Sequence, residues 1–247
     1  MVFMRAILLT VGILLGLPAA AFPAGTLGVV TDEWPPYVYV ENGVVKGADY
    51  EIMMAVLDGM GYDADVNIYP WKRCLSMIKS RKADAILDIG MTEDRKKQMI
   101  FPDENISSSV SVLFCLADAD FAFSRLEDLN GLRIGTILGY VYSKQISEAD
   151  FFEKLPVQTL RQNVDMLLLG RIDMFIANRN AGLFTAKKMK VLDRVKTLEK
   201  PISGGLLYLA FSRKKDHVKL AKKFSIHLER FKQTGAYEKI LIRYGQL

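Results

Sequence analysis

The stretch WKRCLSMIKSRKADAILDIGMTEDRKKQMIFPD, residues 71–103, decides the fold class. Trp71 to Ser80 turns Leu75 and Ile78 to one side at helical spacing, which predicts a helix. Ala83 to Ile89 is a short, mostly apolar run between polar neighbours, which predicts a buried strand. Thr92 then opens a short helix, with Glu93 and Asp94 in the first turn, where the helix dipole favours acids. Phe101-Pro102 ends it. Helix, strand and helix in close succession give an α/β chain whose strands form a mostly parallel sheet.

The same alternation extends in both directions. Upstream, Leu27 to Asp32 reads as a buried strand, and WPPYVYVENGVVKG as a hairpin-like connection turning at Asn42-Gly43. Asp49 to Met60 repeats Ile52, Met53, Val56, Leu57 and Met60 at helical spacing, and Gly59 and Gly61 end that helix. Asp65 to Tyr69 is the next strand. Downstream, strands are predicted at Ser107 to Leu116, Leu132 to Leu138, Val157 to Thr159, Ile172 to Ala177, Val195 to Leu198 and Gly205 to Ser212. Asn163 to Leu169 is a helix, and Asp216 to Tyr244 is helical with a break at Gly235. Two α/β modules therefore follow one another. The last strand and helices are too short for a third domain and are placed as a return into the first module. A chain that crosses twice makes a hinge, and the cleft between two lobes is a standard small-molecule site.

The 247 residues are half hydrophobic and a quarter charged, a globular balance. The net charge of +5 is spread along the chain, without the basic stripe and interleaved aromatics that nucleic-acid binding needs. Arg5, the apolar run AILLTVGILLGLP and the small residues Ala19 and Ala21 follow the order of a secretory signal peptide, with the cut expected after Ala21. The run is shorter than the about 20 apolar residues of a membrane span, and Pro18 breaks it. The mature chain is expected outside the cytoplasm. Cys74 and Cys115 could pair there, but each lies in an apolar segment and reads better as a small buried hydrophobe. His217 and His227 fall in the last helical pattern and read as surface residues. No Cys/His spacing points to a metal, and no cofactor is expected.

Ligands in open α/β sheets sit beyond the carboxyl ends of strands. Asp32, Trp34 and Tyr37 follow the first strand; Trp71 and Arg73 follow the strand ending at Tyr69. Asp88, Thr92 and Arg95 stand at the end of Ala83 to Ile89, Tyr140 and Tyr142 after Leu132 to Leu138, and Asn178 and Arg179 after Ile172 to Ala177. Aromatics supply flat apolar walls, and arginine a bidentate grip on a carboxylate or phosphate. Each residue alone has a plainer reading: Trp34 as a loop cover, Trp71 as a core anchor, Arg95 as a solvated helix residue. Their gathering at the same ends of the strands favours a site.

Taken together, these segments resemble the periplasmic solute-binding proteins of family 3, the polar amino-acid type that feeds ABC importers. TDEWPPYVYVENGVVKGADYEI resembles the family's opening strand, aromatic-proline loop and G-x-D, here ending on Asp49. The stretch at 71–103 resembles its helix, strand and T-x-x-R, and LNGLRIGTILGY and GRIDMFIANR resemble the ligand-facing segments of the second lobe. The resemblance implies the type II two-lobed fold: residues 22–111 as the first part of lobe 1, 112–204 as lobe 2, and 205–247 returning to lobe 1. Each lobe is then a mixed, mostly parallel sheet flanked by helices, joined by a two-crossing hinge. It implies a monomer that closes around a small polar ligand, an amino acid or other small carboxylate, for an ABC permease of the inner membrane. Arg95 would hold the ligand's carboxylate. The position of the family's amine-binding acid is Asn178 here, and the serine-rich strand end is Asp88, Ile89 and Gly90; Asp88 is placed to replace the lost acid from the other lobe. Two other uses of the fold compete. One is a periplasmic dehydratase with Asp88 or Asp32 as general acid; the other is a sensory protein docking on a membrane receptor.

Overall fold

A computed structural model describes residues 25–138 and 142–246. The predicted leader with its cut, and Tyr140 in the turn after the second lobe's first strand, lie outside the described residues. The first part of the chain runs β1 (Thr26–Thr31), β2 (Tyr39–Glu41), β3 (Val44–Lys46), α1 (Ala48–Gly59), β4 (Asp63–Ile68), α2 (Trp71–Lys79), β5 (Ala85–Gly90), α3 (Glu93–Gln98) and β6 (Met99–Ile100). It continues through β7 (Ser107–Leu116), β8 (Arg133–Ile137), α4 (Lys144–Glu148), β9 (Glu153–Val157), α5 (Leu160–Leu168), β10 (Met174–Asn178) and α6 (Arg179–Lys188). The chain closes with β11 (Val195–Thr197), β12 (Ser203–Ser212), α7 (His217–Lys232) and α8 (Gly235–Arg243).

The predicted α/β alternation is what forms. The main sheet has the order β4-β1-β5-β12-β7-β10-β8-β9. β1 pairs in parallel with β4 and β5, and β8 in parallel with β9 and β10. The two long strands β7 and β12 run antiparallel to each other and join these groups, Ser107 opposite Leu207 and Ser111 opposite Ser203. Beyond that overlap β12 pairs with β5, and β7 with β10 and β11. Buried clusters cover both faces of each group: those around Val29 and Val30 gather residues from the first segments and from β12, α7 and α8, whereas those around Leu113 and Phe114 draw on β7 to β11. The C-terminal helices thus pack on the sheet group formed first.

Local chemistry explains several elements. Asn42 and Gly43 both take positive φ, 54° and 77°, as a tight hairpin turn requires. Thr159 and Gln162 form a reciprocal capping box at the start of α5. Thr159 was expected at the end of a strand. β9 instead lies earlier, with Pro156 inside it; as the last strand in the sheet it has a free edge, where proline is tolerated. Helix α6 was not read from the sequence. Cys74 and Cys115 are unpaired, buried in different clusters.

One prediction fails outright. His217 is buried at the start of α7 rather than on the surface, its Nδ1 3.0 Å from the Ser212 carbonyl oxygen and its Nε2 3.6 Å from Asp84. A helix start folded back over the end of β12 covers it. His227 is only half-buried, and burial lowers its pKa.

Candidate functional site

The loop after β1 is held by the start of α1. The Tyr37 carbonyl accepts from the N–H groups of Asp49 and Tyr50, at 3.1 and 3.3 Å. Gly47 makes this approach possible: its φ is 131°, and a Cβ there would lie 2.2 Å from the Tyr37 oxygen. The arrangement buries Tyr37 completely and sets its ring 4.6 Å from that of Trp34. The phenol then crosses to the far sheet group. It donates to Asn178 Oδ1 at 3.3 Å and accepts from Asn178 Nδ2 at 3.1 Å and Asn180 Nδ2 at 3.2 Å. Burial pushes its pKa well up.

Asn178 ends β10 and caps α6, accepting from the Ala181 N–H at 2.9 Å and donating to Ser109 Oγ at 3.0 Å. Its amide is therefore engaged within the protein. Arg179, next in the chain, turns toward the Glu199 carbonyl at 3.4 Å, and its buried Nε has no partner among the described residues.

A cavity of about 190 Å³ opens beside the ends of β1 and β5, lined by Thr31, Asp32, Glu33, Trp34, Trp71 and Asp88. Four of the predicted site residues thus meet in one place. Arg73 does not line it; its guanidinium stacks 3.9 Å above the Tyr69 ring on the exposed side of α2. Thr92 is an exposed helix cap whose hydroxyl accepts from the Arg95 N–H. That cap sets Arg95 on the side of the short helix facing β5, where Nη1 donates to the Gly90 carbonyl at 2.7 Å. The guanidinium is half-buried, burial lowers its pKa, and among the described residues no carboxylate lies within ion-pair distance.

Asp88 is only 8% exposed and adopts a left-handed φ of 61°. Neither of its oxygens, nor Oδ1 of the fully buried Asp49, meets a donor among the described residues. Asp49 Oδ2 accepts from the Ser107 hydroxyl. Burial raises the pKa of both acids, and the neighbouring charge of Asp49 raises that of Asp88 further. Two carboxylates offer each other only lone pairs; a proton on Asp88 supplies the O–H that can bridge to Asp49. Asp49, Glu33 and Asn180 were not among the predicted site residues. An acid on the apolar side of α1, flanked by Ala48 and Ile52, was the available signal for Asp49.

The chain matches, over residues 27–246, the model of the bacterial extracellular solute-binding proteins, family 3. It belongs to that family. As a family 3 solute-binding protein it is 26% identical over 215 residues to an arginine-binding periplasmic protein of Mannheimia haemolytica, covering 86% of this chain and 87% of the other. It is 23% identical to a probable amino-acid-binding protein of Bacillus subtilis, YxeM, over 85% of this chain and 79% of that one. Among solved structures, the probable amino-acid ABC transporter extracellular-binding protein ytmK of Bacillus subtilis superposes with a TM-score of 0.77 over 90% of this chain and 97% of that one. At 18% identity this likeness speaks for the two-lobed fold alone. Among the described residues, no helix is long and apolar enough to cross a membrane.

Proposed function

We propose that this solute-binding protein captures a small carboxylate-bearing solute outside the cytoplasm, in the periplasm after removal of a leader, and delivers it to an ABC importer. The observation that carries the reading is Arg95. It is anchored on Gly90 by one nitrogen, half-buried, without an acidic partner among the described residues, and free to present its remaining N–H groups. Residues 22–111 and 205–247 serve as one lobe and 112–204 as the other, with β7 and β12 as the hinge strands. Closure is a shift of population toward a state in which the solute touches both lobes. The amino-acid-binding relatives support a solute of that class. The role is capture and release rather than turnover.

Calorimetry and thermal shift against the common amino acids and small dicarboxylates test it. A bound solute raises the melting temperature by mass action. Arg95→Ala is expected to abolish the shift, and Arg95→Lys to weaken it, because a point charge lacks the bidentate fork. Full binding by Arg95→Ala would reject the reading.

A further inference from the structure

We propose that β2 and helix α6 form a clasp, in which Tyr39 and Glu41 of one lobe grip Phe184 and Lys188 of the other, and that this clasp holds the empty protein shut and sets the rates at which solute enters and leaves. The inference rests on the lobes and the capture role proposed above. It adds to them a group of residues outside the cavity.

Two rows of side chains match in spacing. Tyr39 and Glu41 lie two apart in β2 and share one face, with Tyr37 two residues before them. Asn180, Phe184 and Lys188 lie four apart on α6 and share one stripe. Two residues advance about 6.6 Å along a strand, and four advance about 6 Å along a helix, so the rows keep pace. All three rungs are made. The Tyr37 hydroxyl accepts from Asn180 Nδ2 at 3.2 Å. The Tyr39 ring meets the Phe184 ring edge to face, with centroids 5.2 Å apart. Glu41 Oε1 holds the Lys188 ammonium at 2.6 Å.

The rungs support one another. The β2–β3 hairpin stands apart from the main sheet, yet Tyr39 is only 8% exposed. Lys46 on β3 holds Glu41 from its own hairpin at 3.2 Å, and the Lys188 ammonium lies 5.6 Å from the centre of the Phe184 ring. An exposed ion pair alone adds little, so the aromatic rung carries the larger part and the charges fix the register. Among the described residues, Glu41–Lys188 is the one ion pair between the lobes.

None of Tyr39, Glu41, Phe184 and Lys188 lines the cavity. Their contacts are made between protein groups alone and favour the closed form equally, empty or loaded. That equality has a kinetic consequence. Solute enters only an open form, so the association rate scales with the open fraction. Release also waits on opening. Weakening the clasp therefore raises both rates by a similar factor and changes their ratio little. A contact made only in the loaded state would instead govern affinity.

The test compares the mature wild type with Phe184→Ala and with Lys188→Glu, an exposed substitution that leaves the packing intact. Small-angle scattering of the solute-free proteins is expected to give a larger radius of gyration for both variants. The common L-amino acids serve as probes in stopped flow, read by tryptophan fluorescence, because Trp34 and Trp71 are the chain's two tryptophans and both line the cavity. Association and dissociation should each speed up about two- to tenfold in Phe184→Ala, the equivalent of one aromatic pair, with affinity changing less. Unchanged radii in both variants would overturn the inference. So would an unchanged association rate beside a matching loss of affinity. A wild type that binds none of the amino acids would strike at the proposed function instead, and the radii would still decide the clasp.

Discussion

The Tyr37 hydroxyl and the Asn178 side-chain amide are bonded in both directions, at 3.3 and 3.1 Å, and join the loop after β1 to the end of β10. This bond spans the two sheet groups without any solute. Removing it with Tyr37→Phe deletes the bonds to Asn178 and Asn180 while keeping the ring against Trp34. A loss of about 1–2 kcal/mol is expected. Because about 1.4 kcal/mol is a tenfold change in an equilibrium, the solute-free variant should shift toward open forms. Small-angle scattering should record a larger radius of gyration. An unchanged radius would mean that other contacts hold the halves together.

The Asp49–Asp88 pair makes a second prediction, about stability in the absence of solute. Burial raises both carboxyl pKa values in the folded protein, Asp49 to about 6. The folded state therefore binds more protons than the unfolded chain between neutral pH and the ordinary Asp value of about 4. The contribution of this pair to stability therefore rises as pH falls through that window. Asp88→Asn removes one buried acid. It should be more stable than the wild type at neutral pH, and its stability should depend less on pH. Denaturant titrations at several pH values check this; a variant less stable than the wild type at neutral pH would contradict it.

Asp84 has the opposite sign. Burial pushes its pKa up, but the Lys214 ammonium at 2.6 Å and the Gly28 N–H at 2.9 Å more than offset this, and the net shift is downward. Its contribution is fully present above the unfolded Asp pKa and is lost as pH falls through the lower folded value. Asp84→Asn should lower the melting temperature at neutral pH, by loosening the junction of β1, β5 and α7. The difference should shrink at strongly acidic pH. An equal loss at all pH values would show that packing, not charge, makes the contribution.

These side chains also show what was legible in the sequence. Strand ends were readable because apolar runs stop at polar residues, and this placed Asp32, Trp34, Trp71 and Asp88 around one cavity. Directions of side chains were less readable. Arg73 follows the right strand but stacks on Tyr69 outside the cavity, and Asn178 turns to Tyr37. Asp49 was visible only as part of a G-x-D. Its importance comes from Asp88, 39 positions away in number and adjacent only after β5 folds against α1. His217 looked like one polar residue of a surface helix, since nothing local announces that the chain before it folds over β12. Helix α6 was hidden for a related reason: RNAGLFTAKK contains a glycine and two poor helix formers, and tertiary packing outweighs that weak propensity.

That packing gives the last prediction. Gly182 lies inside α6, where glycine is less favourable than alanine by about 1 kcal/mol. On propensity alone, Gly182→Ala should stabilise the protein. A Cβ at this position, however, would sit 2.3 Å from Cζ of Phe114. The ring has little room to retreat, because it stacks on Phe175 with centroids 4.7 Å apart and planes 1° from parallel, and both rings are fully buried. Overpacking of this kind costs about 1–3 kcal/mol. The clash should therefore outweigh the helix gain, and Gly182→Ala should lower the denaturation midpoint. The same strand carries Asn178 at its end, so displacing Phe175 should also disturb the Tyr37 bond. A variant as stable as the wild type would show that the stacked rings slide easily, and that the glycine has another reason to be there.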